Sequence, residues 1–174
     1  MTRVDLRNAD LPDFEVIVAL NSSEERHTSA MSLERLRVLH TIAWRHVLAV
    51  VDEEVAGFVL AMRDSASYAN ANFEWFAARY VRFAYVDRIV VGARWQDLQI
   101  GTRLYDELLT AAQDAGLDRV TCEYNVVPPN EPSRRFHDRF GFREVGRRSL
   151  EEGNKTVSMQ AVELPRAAPT SRTT

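Results

Sequence analysis

Residues Gln96–Leu104, QDLQIGTRL, decide how the chain is read. They lie between an apolar run, Tyr85–Val91, and a stretch from Gly101 to Ala115 in which Leu104, Leu108, Ala111, Ala112 and Ala115 fall on one helical face before Gly116 supplies a stop. The unit is therefore strand, loop, helix. Such a junction presents free backbone N–H groups at the positive end of the helix dipole, where phosphate oxygens bind well. Here Gly101 allows close approach, Gln96 and Thr102 are polar, and Arg103 adds a positive charge. An ordinary strand-to-helix connection carrying a solvated arginine fits the same residues.

Working outward, residues 2–8 read as a short strand. Asp10 then caps a helix with Leu11, Phe14, Ile17 and Val18 on its apolar face. Ser32 precedes a second helix (Leu33, Leu36, Leu39, Ile42, Ala43), and Val47–Val51 and Val55–Met62 form a hairpin across Asp52, Glu53 and Glu54. Residues 64–83 pass from a polar start to FEWFAARYVRFAY, which suits a helix without a clean cap. Arg119–Val126 follows as a strand, Pro132–Phe140 as a short helix ended by Gly141, and Phe142–Arg148 with Thr156–Leu164 as a closing pair around residues 151–154. Strands alternating with helices and closed by a hairpin predict a single α/β domain over 1–164. The Pro-, Thr- and Arg-containing stretch 165–174 is expected to be a disordered tail.

Two motifs, QDLQIG and NEPSRRFHDRFGF, resemble the GNAT (GCN5-related) N-acetyltransferase superfamily. The first resembles the acyl-CoA loop Q/R-x-x-G-x-G/A, with Gln96 in the first position, Gly101 in the last and Gln99 replacing the middle glycine. The second resembles N-x-x-A-x-x-L-Y-x-x-x-G-F, with Asn130, Ser133, Phe136, Gly141 and Phe142 in place and His137 where tyrosine is usual. The likeness covers about residues 84–146. It implies a mixed, mostly antiparallel twisted sheet flanked by helices, and transfer of an acetyl group from acetyl-CoA to an amine of a small molecule, amino acid or peptide. It also implies that Gln96, Gln99, Ile100, Gly101, Thr102 and Arg103 hold the cofactor with Asn130, Ser133 and Phe136. By the same likeness, the backbone of Ile89 and Val91 lines the pantetheine arm.

Transfer to an amine needs a proton acceptor, because amines are mostly protonated near neutrality. Glu123 is the only acid on the polar face Thr121, Glu123, Asn125 of its strand, and the resemblance makes it the general base; a Glu on the solvent face of an edge strand reads the same way. Asp87 and Arg88, adjacent in an otherwise apolar strand, are expected on opposite faces. Such charges need partners, which makes Asp87 a second candidate for base or amine anchor. By resemblance His137 stands where the acid toward the CoA thiolate is found, and a packed helix histidine is the alternative. The resemblance puts the acceptor site near Asn21, Glu25, Tyr68 and Asn72. The aromatic cluster around them reads as core, as does Cys122, which lies on the apolar face without a base partner.

Composition excludes several classes. A net charge of −3 argues against nucleic acid and anionic membranes as partners, and no apolar stretch is long enough to span a bilayer, so a cytoplasmic protein is expected. One cysteine and scattered His27, His40, His46 and His137 give no disulfide and no metal spacing. GxxxxGK[ST] and GxGxxG are both absent, which speaks against a nucleotide-binding α/β protein. A homodimer stays open as an assembly. A non-catalytic acyl-CoA-binding sensor is the rival to the enzyme, motivated by Gln99 and His137.

Overall fold

The computed structural model describes residues 3–25, 28–150 and 154–165. The chain runs β1 (Val4–Asn8), a 3-10 turn (Leu11–Asp13), α1 (Phe14–Ser23), α2 (Leu33–Ile42), β2 (Arg45–Val51), β3 (Glu54–Arg63), α3 (Ala71–Ala77) and β4 (Phe83–Val91). It continues through a 3-10 segment (Ala93–Leu98), α4 (Ile100–Asp114), β5 (Arg119–Val127), α5 (Glu131–Arg139), β6 (Arg143–Leu150) and β7 (Lys155–Glu163). His27 and residues 166–174, where the tail is expected, lie outside the described residues. None of the described helices is long and apolar enough to cross a membrane.

Local chemistry accounts for the helix boundaries. Asp10 caps the first turn, and the Ser32 hydroxyl accepts from the Arg35 amide at 3.1 Å to start α2. Residues 64–83 depart from expectation. α3 does have a cap, Asn70, whose side-chain oxygen accepts from the amides of Asn72 and Phe73 at 3.0 Å each. The helix ends at Ala77, and the last aromatics of the run, from Phe83, enter β4. α4 stops before Gly116, whose φ of +70° is the left-handed geometry that glycine adopts without a Cβ clash.

The seven strands stand in the order β1-β2-β3-β4-β5-β7-β6, antiparallel except for β4 against β5. β5 is thus interior. One face packs Ile17, Leu36, Leu39, Phe58, Phe76 and Tyr85 beneath α1, α2 and α3. The other packs Val59, Ala84, Leu104, Leu108, Val120 and Phe142 beneath α4 and α5. Cys122 belongs to this second core, and burial pushes its thiol well up from its ordinary range.

Two irregularities make room for a site. Leu60 pairs with Arg88 and Ala61 with Val86, so Asp87 is an extra residue, a β-bulge. Before it, Phe83 and Tyr85 face the first core; after it, Val90 does. The extra residue therefore reverses the alternation, and Asp87 and Arg88 bond to each other, Arg88 Nε donating to Asp87 Oδ2 at 2.8 Å. Opposite faces, expected from a regular strand, are corrected by the bulge. The second irregularity is a fork. β4 and β5 pair only over Phe83–Arg119, Ala84–Val120 and Tyr85–Thr121, then separate, and the Thr121 hydroxyl donates to the Ala84 carbonyl at the crotch.

Candidate active site

Two hollows open from the fork and share Thr28, Asn130 and Ser133 as wall residues. The first is a cleft of about 290 Å³ between β4 and the starts of α4 and α5. Its floor is Ile89, Val90 and Val91, on the part of β4 that has lost β5 as a neighbour. Gln96, Gln99, Gly101 and Thr102 line it from the junction. Gln99 has φ +54° and ψ +30°, a left-handed conformation for which glycine is the usual residue, and it makes no side-chain cap for α4. The first-turn amides of α4 consequently have no intrahelical or capping acceptor. Gly101 sits close under α5: a Cβ there would come within 3.1 Å of the Phe136 ring, so the ring would have to shift slightly.

α5 supplies the opposite wall. Asn130 caps it, accepting from the Ser133 amide at 3.2 Å, and Pro132, Phe136 and Arg139 form a stripe at helical spacing along the cleft. Arg139 is the positive charge that the motif reading missed; the i, i+4, i+7 spacing was its signal. Two expected cofactor residues stand elsewhere. Ile100 is fully buried in the core, and Arg103 lines a separate hollow with Arg45 and Glu107. At 3.6 residues per turn, Arg103 is rotated by about 200° from Gly101 and so leaves the cleft.

His137 touches the cleft wall but turns its ring inward. Its Nδ1–H donates to the Ser133 carbonyl at 2.7 Å, which fixes the tautomer and leaves Nε2 to accept from the Tyr105 hydroxyl at 2.7 Å. Burial lowers its pKa to about 4. The ring is neutral near pH 7 and both nitrogens are engaged, so the geometry does not place it as an acid.

The second hollow, about 410 Å³, lies on the first-core side and is polar. Glu25, Tyr68, Asn72, Asp87 and Glu123 all line it, brought together from the end of α1, the segment before α3, α3 itself, β4 and β5. Asn21 does not. It is fully buried beneath, accepting from Arg88 at 2.9 Å and donating to the Ser29 carbonyl at 3.0 Å.

The two acids differ. Asp87 is satisfied on both oxygens, by the Tyr68 hydroxyl and by Arg88, and the Asp87 and Arg88 side chains are only 4% and 7% exposed. Glu123 takes two bonds on Oε1, from Asn72 and from the Tyr85 hydroxyl, each at 2.9 Å. Its Oε2 is enclosed and has no partner. Burial is the main reason its pKa rises to about 7, assisted by the Asp87 charge and opposed by Asn72, Tyr85 and Arg148. A carboxyl with that pKa is part protonated near neutrality, and one of its oxygens has no partner. Among the described residues no group of three or more metal-ligating side chains converges.

Residues 5–142 match the acetyltransferase (GNAT) family. No curated protein matches the sequence. Among solved structures, Ard1 from Thermoplasma volcanium superposes with a TM-score of 0.78 at 16% identity, covering 94% of this chain and 99% of that one. The ribosomal-protein-alanine N-acetyltransferase from Brucella melitensis gives 0.69 at 16%, covering 92% and 99%. YncA from Salmonella typhimurium, solved with its cofactor acetyl-CoA, gives 0.71 at 16%, covering 97% and 99%.

Proposed function

The chain belongs to the GNAT acetyltransferase family, and from that premise we propose that it moves an acetyl group from acetyl-CoA to the amine of a small molecule, amino acid or peptide, with Glu123 as the general base. The observation that carries the reading is the enclosed, unpartnered Oε2 of Glu123 on the wall of the polar hollow.

The cleft fits acetyl-CoA in kind. The uncapped start of α4, with Gln99 in a left-handed turn, offers amide donors to a pyrophosphate, and Arg139 offers charge. Ile89 and Val91 present strand backbone that the fork leaves without a β5 partner, as the pantetheine arm requires. Bound there, acetyl-CoA supplies a thioester carbonyl open to attack by an uncharged amine.

The protein's part is to hold the amine and take its proton. Amines have pKa values of about 8 to 10.4, so the cation predominates at neutral pH. Glu123, with a pKa of about 7, is half ionised there and is a better proton acceptor than an ordinary glutamate. Asn72 and Tyr85 fix its Oε1, leaving Oε2 without a partner. Asp87 works at one remove: it holds Arg88 and Tyr68 and raises the Glu123 pKa by its charge.

Release of CoA thiol, followed with acetyl-CoA and a panel of amines, amino acids and peptides, tests the proposal. Turnover with at least one amine is expected. Tight CoA binding without turnover on any acceptor would overturn it in favour of a non-catalytic acyl-CoA sensor.

A further inference from the structure

The lining of the polar hollow carries charges of both signs. Its acids include Glu123 and Asp87. Four cations stand in or against the hollow, and two are already engaged. Arg88 is held by Asp87, Asn21 and Ser29, and Arg148 by Asn72. The other two, Arg35 on α2 and Lys155 at the start of β7, have no ion-pair partner among the described residues.

Their positions are specific. Arg35 lies with its guanidinium carbon 5.6 Å from the centroid of the Tyr68 ring, and the hydroxyl of that same ring donates to Asp87. A single tyrosine thus stands between Arg35 and Asp87. Arg35 and Lys155 line the hollow but not the cleft. Glu25 is the one further acid on the lining.

We infer that the acceptor is a small amine carrying its own anionic group, a carboxylate in the simplest case, whose amine meets Glu123 while the anion meets Arg35 and Lys155. This deepens the acetyl-transfer reading and rests on it. A plain cationic amine would leave both cations unanswered and face repulsion on entry; a neutral peptide chain leading away from the amine would pass them without a partner. The paired arrangement also fixes orientation, since reversing such a molecule sets its carboxylate against Glu123 and Asp87.

The test compares α- and ω-amino acids with their own primary amides, and with short neutral peptides, as acceptors in the thiol-release assay. The expected result is a kcat/KM for the amino acids at least about tenfold above that of the matched amides, the size of effect one charge-assisted contact confers. In Arg35→Ala and Lys155→Ala that ratio should fall by about three- to tenfold each. Arg35→Glu should invert it, a gain for the amide that a merely misfolded variant could not give. Equal or better turnover of the amides or peptides by the wild type would overturn this inference and leave acetyl transfer standing. Absence of turnover with every amine would overturn the transfer reading, and this one with it.

Discussion

The cleft and the polar hollow share three wall residues but are built differently. The cleft is made from main chain: the unpaired length of β4, the amides at the start of α4, and a glycine that lets Phe136 come close. The hollow is made from side chains that bond one another, Tyr68 to Asp87 to Arg88 to Asn21, and Tyr85 and Asn72 to Glu123. A site made of backbone is expected to tolerate exchange of side chains. A site made of interlocked side chains does not, because each removal strands a buried partner.

That contrast orders the expected effects. The largest belongs to Asp87→Ala, which leaves the Arg88 guanidinium buried without its counter-charge; unfolding in denaturant should show a loss of about 3–5 kcal/mol. A loss below about 1 kcal/mol would mean that the hollow is as forgiving as the cleft. Glu123→Gln comes next. It keeps the shape and the Oε1 contacts, and should lower kcat by about 10²-fold.

The wild-type pH profile sharpens the same point. Burial raises the Glu123 pKa to about 7, and the base form exists above it, so kcat/KM should climb as pH rises through about 7 and that climb should vanish in Glu123→Gln. An unchanged profile in the variant would remove Glu123 from the base role. His137→Phe lies on the cleft side. It strands the Tyr105 hydroxyl and should cost about 1–3 kcal/mol of stability while leaving the pH dependence of turnover intact. A selective loss of rate at high pH would instead restore His137 as an acid.

The smallest effect is expected from Gln99→Gly. Relief of the left-handed strain, about 1–2 kcal/mol, is largely offset by the greater freedom glycine has when unfolded, about 0.5–1 kcal/mol, so a thermal melt should show a net gain under about 1.5 kcal/mol.

The same contrast explains what the sequence made legible. The cleft comes from two continuous segments, and the two motifs that carry the resemblance named Gln96, Gln99, Gly101, Thr102, Asn130, Ser133 and Phe136, all of which line it. Helix rotation, which the motifs do not show, turns Ile100 into the core and Arg103 to a separate hollow, and brings Arg139 to the cleft. Alternation predicted the side of β5 that carries Glu123, but its partners come from α3 and β4, and nothing local announces that register. The bulge at Asp87 is invisible to alternation by its nature, since one inserted residue reverses the parity of all that follow. The cap at Asn70 was readable in principle, but aromatic density drew the helix too far toward β4.

The fork has a mechanical consequence. Only three residue pairs hydrogen-bond β4 to β5, so the sheet is two well-laced panels, β1 to β4 and β5 to β7, joined along a short seam. Any molecule gripping both panels beyond that seam supplies stitches the polypeptide omits. Its binding energy then resists the parting of the panels, and occupancy and cohesion rise together by linkage.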